Sequence, residues 1–249
     1  MNITDNGAAV CKHCGTVMGE KPMSEVSSLK IGTVLHGRYL VGKKLGQGGF
    51  GITYMGFDLV LSCRVAIKEY YPRNDVSRDS NKSSELIWQT KNDYLIGCKN
   101  ILREAQKLAK VNSVPNIVRV QDTFEENKTA YIIMDFIEGI TLKEKIKKEG
   151  TMPFEKVIEL LKPMIIGLKS LHENDIIHRD ISPDNIMITR KNEPYLLDMG
   201  AAKDISASSG FSEPIGVAKH GFSPIEQYNS NTPIGPWVDV YALSATIFY

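Results

Sequence analysis

Residues 178–200 read HRDISPDNIMITRKNEPYLLDMG and constrain the chain more than any other stretch. A His-Arg-Asp triplet is followed, five residues after its Asp, by Asn185, and the stretch ends in an Asp-x-Gly turn. Two apolar runs, 186–188 and 195–197, flank the polar positions, so the pattern predicts short buried strands ending in acidic loops. Asp180 and Asp198 would be costly there unless something cationic were bound. Carboxylate and amide oxygens so placed are what a divalent metal on a phosphate needs. The plain structural alternative is a β-hairpin with acidic turns.

Bulk properties narrow the class. A chain of 249 residues has room for one large domain or two small ones. Hydrophobic content of 42% and charged content of 24% are ordinary for a soluble globular protein. A net charge of +1 gives no bulk electrostatic case for nucleic acid or an anionic membrane. Cysteines 11, 14, 63 and 98 do not make a disulfide framework in a chain this size and suit a reducing, cytoplasmic setting. No basic-then-apolar leader opens the N-terminus, and no run approaches the roughly 18 apolar residues of a membrane span.

Residues 1–20 hold Cys11-Lys12-His13-Cys14-Gly15, half of a zinc ribbon. No second Cys pair follows, and His13 is badly placed to join the first. Zn²⁺ at Cys11 and Cys14 and a plain tail both stay open. Residues 21–36 read as a linker. Gly46, Gly48 and Gly51 then form G-x-G-x-x-G within residues 45–58. The triplet alone is weak, and its dinucleotide-binding version needs a helix to follow. Ile52-Thr53-Tyr54-Met55 is strand-like instead, which predicts a glycine hairpin. Val65-Ala66-Ile67 is a strand pattern ending at Lys68.

Residues 72–98 begin as loop, and residues 100–111 place Ile101, Leu102, Ala105, Leu108 and Ala109 on one helical face, with Glu104 on the same helix. Strands are predicted at 117–120 and 131–134 around the polar turn 125–128. A short helix over 142–149 carries Lys143, Lys145, Lys147 and Lys148, read as a solvated face. A longer apolar helix over 154–172 contains Pro163, which is expected to kink it or loosen one turn.

In this order and spacing, the glycine triplet, Val-Ala-Ile-Lys, a helical Glu, His-Arg-Asp-x-x-x-x-Asn and Asp-x-Gly resemble the eukaryotic-type serine/threonine protein kinase family, bacterial branch. The resemblance implies an α+β bilobal fold: an antiparallel β N-lobe with one helix over 37–136, then a mainly helical C-lobe over 137–249. It implies ATP and Mg²⁺. Gly46, Gln47, Gly48, Gly49, Phe50 and Gly51 would cover the phosphates. Thr53, Ala66, Met134, Asp135, Ile137 and Met187 would surround the base. Lys68 would meet the α- and β-phosphates, with Glu104 as its partner. Asp180 would be the catalytic base, and Asn185 and Asp198 would hold the metal. His178 would pack beneath the Asp-Met-Gly turn, Arg179 would await a phosphorylated activation loop, and Asp239 would anchor the catalytic-loop backbone. The implied activity is transfer of the γ-phosphate of ATP to Ser or Thr of proteins, autophosphorylation included, with a homodimer for reaction in trans. Protein substrates, and no nucleic acid, are the implied partners.

Departures from the family pattern are informative. Met199 replaces the usual Phe, with similar bulk. Ser182 stands where such kinases carry a Lys that touches the γ-phosphate. Seven residues before Glu226, where a Thr is usual, stands Lys219. Either the cation has moved from the catalytic loop to Lys219, or Lys219 is a solvated loop residue. Pro183 suits hydroxyl acceptors over phenols. Serines 206, 208, 209 and 212 are the activation-segment candidates for phosphorylation. The sequence stops inside a helical pattern begun at Trp237, so further C-lobe is expected beyond Tyr249, and its absence would leave apolar surface uncovered. Two rival readings remain: a nucleotide-binding pseudokinase scaffold, favoured by Ser182, and a metal-dependent interaction module at Cys11 and Cys14.

Overall fold

The computed structural model describes residues 2–3, 9–10, 27–49, 51–79, 83–109, 114–197, 203–204, 218–229 and 232–249, without the side chains of 2–3, 9–10, 93, 104, 107 and 203–204. These form two compact units, Met1–Gln106 with Val120–Phe136, and Lys107–Arg119 with Ile137–Tyr249.

The first unit is built on a six-stranded antiparallel sheet. Its spatial order is Val34–Leu35, Tyr39–Gln47, Gly51–Asp58, Cys63–Tyr70, Thr129–Asp135 and Val120–Glu126. Strand side chains alternate between faces. One face therefore gathers Ile52, Tyr54, Val65, Ile67, Tyr131 and Ile133 into a core with Leu29, Leu35 and Tyr39. The last hairpin turns at Asn127 and Lys128, both at positive φ (53° and 57°), the conformation that matches strand twist in a tight hairpin. The predicted strand at 117–120 lies elsewhere: the pairing starts at Val120, and Ile117 makes an isolated bridge to Leu196 in the second unit.

Two stretches read from sequence as connecting chain are packed. From Ser27 onward the expected linker belongs to the first unit: Leu29 and Leu35 are buried, and the Leu29 N–H donates to Tyr54 Oη at 3.1 Å. The stretch 72–98, whose first half reads as loop, delivers Arg78 to Glu69, forming an ion pair with both side chains fully buried. Tyr54 and Tyr131 donate to the same carboxylate at 2.9 and 3.0 Å. The helix α1 (Lys91–Ala109) starts nine residues before the predicted Asn100. Asn92, Asp93 and Gly97 dilute its sequence signal. Gly97 is nevertheless required, because a Cβ there would collide with the Tyr70 ring.

The second unit contains α2 (Leu142–Glu149), α3 (Phe154–His172) and α4 (Trp237–Phe248). A three-stranded sheet, Gly139–Thr141, Ile186–Thr189 and Pro194–Leu196, accompanies them. Thr141 and Glu144 form a reciprocal capping box at the start of α2. Lys143 is more than a solvated face, because its Nζ lies 3.0 Å from Asp184 Oδ1. α3 runs unbroken as a helix through Pro163. Its buried positions are Val157, Leu161, Met164, Gly167, Leu168 and Leu171. Among the described residues, no helix is long and apolar enough to cross a membrane.

Candidate catalytic and nucleotide sites

In the first unit, four of the residues expected to meet the nucleotide fall on the sheet face opposite its core. Strand register pairs Thr53 with Lys68 and Lys68 with Ile132; two residues on, Met55 pairs with Ala66 and Ala66 with Met134. Cross-strand partners share a face. Thr53, Ala66, Lys68 and Met134 therefore line up together, although they are spread over 82 positions of sequence. Met55 and Ile132 complete the row and were missed from the sequence; the two-residue period was the signal that could have found them. Asp135 sits at the strand end, where its Oδ1 accepts from Gln121 Nε2 at 2.6 Å. Ile137 is half-buried.

The glycine hairpin has a distinctive steric property. Among the described residues, a Cβ built on Gly46, Gly48 or Gly49 meets no atom within 4 Å, and none of the three has positive φ. Among the described residues neither packing nor backbone conformation calls for glycine there, and glycine permits close approach of an outside group. Gly51 differs, because a Cβ on it would lie 2.7 Å from the Glu69 carbonyl oxygen. The turn closes with the Gly48 N–H donating to the Gly51 carbonyl at 2.9 Å, and Gln47 Oε1 accepts from Lys44 Nζ at 2.8 Å. Phe50 lies outside the described residues, as does the Glu104 side chain, although Glu104 itself falls on α1.

In the second unit the His-Arg-Asp loop is fixed through its backbone. The fully buried Asp239 accepts the His178 N–H at Oδ2 and the Arg179 N–H at Oδ1, both at 2.7 Å. The same Oδ2 lies 2.8 Å from His172 Nε2. Arg179 is buried with φ of 69°, a left-handed conformation that is costly outside glycine. Its carbonyl accepts from Gln227 Nε2 at 3.0 Å, so both ends of the strained residue are held. His178 is buried, with Nε2 2.8 Å from the Leu197 carbonyl, one residue before Asp198.

Asp180 follows, half-buried, with one carboxylate oxygen accepting from Asn185 Nδ2 at 2.8 Å. Asn185 Nδ2 also donates to the Asp180 carbonyl at 2.8 Å. Both amide hydrogens are thereby directed inward, which leaves Asn185 Oδ1 as the acceptor. The Leu197 N–H donates to the Asn185 carbonyl at 2.8 Å and brings Asp198 next in the chain. Asp198 and Met199 lie outside the described residues, as do Cys11, Cys14 and the four activation-segment serines. Asn185 Oδ1 is a hard-oxygen donor of the kind Mg²⁺ takes. Met187 pairs with Thr141 and Tyr195 on the neighbouring strands.

Lys219 reaches this loop. Its Nζ lies 2.7 Å from Ser182 Oγ and 3.0 Å from Asp184 Oδ2. Burial raises the Asp184 pKa, but hydrogen bonds from Lys219 and Lys143 outweigh it and hold the carboxyl below its ordinary range. Asp184 and Gln227 were not singled out from the sequence, and Lys143 was read only as part of a solvated face. Only the charge of Asp184 inside the loop could have flagged Asp184 and Lys143.

Residues 39–249 match the protein kinase domain family. The chain is 35% identical over 223 residues to the serine/threonine-protein kinase PknB of Mycobacterium tuberculosis, covering 86% of this chain and 32% of that protein. It is 30% identical over 219 residues to PrkC of Bacillus subtilis, covering 88% and 31%. It thus spans about a third of the length of these curated relatives. A solved structure described as PpkA-294 in its apo form superposes with a TM-score of 0.70 at 32% identity, covering 89% of this chain and 78% of that one. The family is one of ATP- and Mg²⁺-dependent phosphotransferases with an α+β, bilobal fold. With the anchored His-Arg-Asp loop, the glycine hairpin and the match over 39–249 together, the chain belongs to the eukaryotic-type serine/threonine protein kinase family, in its bacterial branch.

Proposed function

We propose that this chain catalyses transfer of the γ-phosphoryl group of ATP to Ser or Thr hydroxyls of proteins. The observation that carries the reading is the Asp180–Asn185 hydrogen bond within a backbone-anchored loop. It aims one carboxylate oxygen and turns an amide oxygen outward. Asp180 holds the acceptor hydroxyl and takes its proton late, as the hydroxyl oxygen bonds to the γ-phosphorus and the bond from that phosphorus to the β–γ bridging oxygen breaks. ADP leaves and the phosphoester stays on the protein. Asn185 and Asp198 would hold Mg²⁺, which would supply positive charge to the β- and γ-phosphates. Lys68 meets the α- and β-phosphates, with Glu104 as its partner. The glycine hairpin offers backbone N–H groups to the phosphates, and Ala66 and Met134 offer apolar surface to the base.

Proteins are the substrates under this reading, the chain's own serines among them. Reaction in trans through a homodimer and a cytoplasmic setting belong to the same reading, whereas Zn²⁺ at Cys11 and Cys14 belongs to the separate reading of a metal-dependent interaction module. The pseudokinase alternative leans on Ser182; against it, Lys219 Nζ lies 2.7 Å from that hydroxyl.

The test is incubation of the protein with Mg²⁺ and γ-labelled ATP, followed by phosphoamino-acid analysis. Label on phosphoserine or phosphothreonine, absent in Asp180→Asn, is expected. Nucleotide binding without any transfer sinks the reading and leaves the scaffold alternative.

A further inference from the structure

The segment 218–229 is fastened to the catalytic loop at three points. Lys219 Nζ donates to Ser182 Oγ at 2.7 Å and pairs with Asp184 Oδ2 at 3.0 Å, while Gln227 Nε2 donates to the Arg179 carbonyl at 3.0 Å. The Lys219 backbone is itself set in a turn. Its N–H donates to Ser223 Oγ at 2.8 Å, and its carbonyl accepts the N–H groups of Phe222 and Ser223 at 3.0 and 2.8 Å. A flexible lysine is thus held at both its backbone and its head.

Phosphoryl transfer spreads negative charge over the equatorial oxygens of the moving group, and cations aimed at that charge lower the barrier. Within residues 178–185 the one basic side chain besides His178 is Arg179, which is buried. Ser182 is fully buried and carries no charge. Lys219 fills the gap from outside the loop. Its side chain is 32% exposed, enough to meet a ligand while staying anchored. An ammonium has three donors. Two go to Ser182 and Asp184, and the third has no partner among the described residues. Asp184 is shared with Lys143, at 3.0 Å from its other oxygen, so Lys219 keeps net positive charge to offer.

We propose that Lys219 is the catalytic cation that contacts the γ-phosphate, standing in from the 218–229 segment for the charge that Ser182 lacks, with Ser182 and Asp184 as the residues that position it. This rests on the phosphotransfer reading above for its rate consequence, but not for its binding consequence.

Calorimetric titration of the protein with ATP and with ADP, each in Mg²⁺, tests the contact without turnover. A cation that meets only the γ-phosphate strengthens ATP binding and leaves ADP alone. Lys219→Met is expected to weaken ATP about 10-fold, with ADP within about 2-fold, from the loss of one charge-assisted bond. kcat should fall about 100-fold. The double variant Ser182→Lys with Lys219→Thr, which returns the charge to the loop, is expected to recover both. The proposal is overturned if Lys219→Met leaves the ATP-to-ADP ratio unchanged. It is equally overturned if the double variant behaves like Lys219→Met. Should the wild type discriminate ATP from ADP through Lys219 yet transfer no phosphate, the lysine contact stands and the activity reading alone fails.

Discussion

Asp239 holds Arg179 in a left-handed backbone conformation: its Oδ1 accepts the Arg179 N–H at 2.7 Å while φ of Arg179 is 69°. A non-glycine residue stays at such an angle only when its surroundings over-determine it. Here a buried carboxylate pulls on the amide of Arg179 and on that of His178, and Gln227 takes the Arg179 carbonyl. The strain sits one residue before Asp180, so the direction of the proposed base depends on a side chain 59 positions away.

Asp239→Asn should release that strain. An amide can accept one of the two backbone N–H groups but presents its own N–H hydrogens to the other. Loss of charge-assisted bonds worth about 1.5–3 kcal/mol each should lower stability by about 2–4 kcal/mol. Hydrogen exchange at the His178 and Arg179 amides should accelerate, and kcat should fall at least about 10-fold with little change in ATP affinity. Unchanged protection of those two amides would contradict the anchoring role.

The Glu69–Arg78 pair makes a second prediction. Both side chains are fully buried, and Glu69 also accepts from Tyr54 and Tyr131. Arg78 in turn donates to the carbonyls of Ser84 at 2.8 Å and Ser27 at 3.1 Å, tying two connecting segments to the sheet. Breaking a buried pair from one side leaves an uncompensated charge, which costs about 3–5 kcal/mol. Arg78→Leu should show that loss in urea denaturation. The double variant Arg78→Leu with Glu69→Gln should recover much of it, because the amide needs no counter-ion.

These two residues also mark what could be read from the chain alone. Lys68 and Asp180 sit in short motifs whose chemistry is local, so spacing was enough to find them. Arg78 sits in a polar stretch without periodicity, and its importance comes entirely from meeting Glu69 across nine residues of irregular chain. The face shared by Thr53, Ala66, Lys68 and Met134 follows from strand register, which sequence alternation implies but does not align across strands. Lys219 was reachable only by counting back from Glu226. Its reach to Ser182 depends on how segment 218–229 folds onto the loop, and local pattern carries no such information.

Cys98 gives a pH prediction. Burial first, then the nearby Glu125 carboxylate, push its thiol up to about 12, against a small lowering by a hydrogen bond with Thr129. A thiol held protonated in the folded state contributes stability fully below its unfolded pKa near 9. That contribution is lost as pH rises from there through about 12. Cys98→Ala should therefore flatten the alkaline limb of the stability curve. At pH 8 the wild-type thiol should resist iodoacetamide until the protein unfolds, since the thiolate is the nucleophile. Rapid labelling of Cys98 in the folded protein would refute the assignment.

The glycine hairpin allows a sharper separation of stability from binding. Gly48 is exposed, its φ is not positive, and among the described residues a Cβ on it meets nothing within 4 Å. Gly48→Ala should leave the fold intact or raise stability by about 0.4–1 kcal/mol through the unfolded chain. Gly51, three residues on, is buried between strands, and a Cβ there would lie 2.7 Å from a backbone oxygen that cannot move independently of its strand. Gly51→Ala should cost about 1–3 kcal/mol as the Gly51–Asp58 and Cys63–Tyr70 strands are forced apart. If the open space over Gly46, Gly48 and Gly49 is where phosphates approach, Gly48→Ala should weaken ATP binding several-fold while its melting temperature holds or rises. Gly51→Ala should instead lose both together. A stable Gly48→Ala protein with wild-type ATP affinity would mean that the open space over this turn is not a phosphate seat.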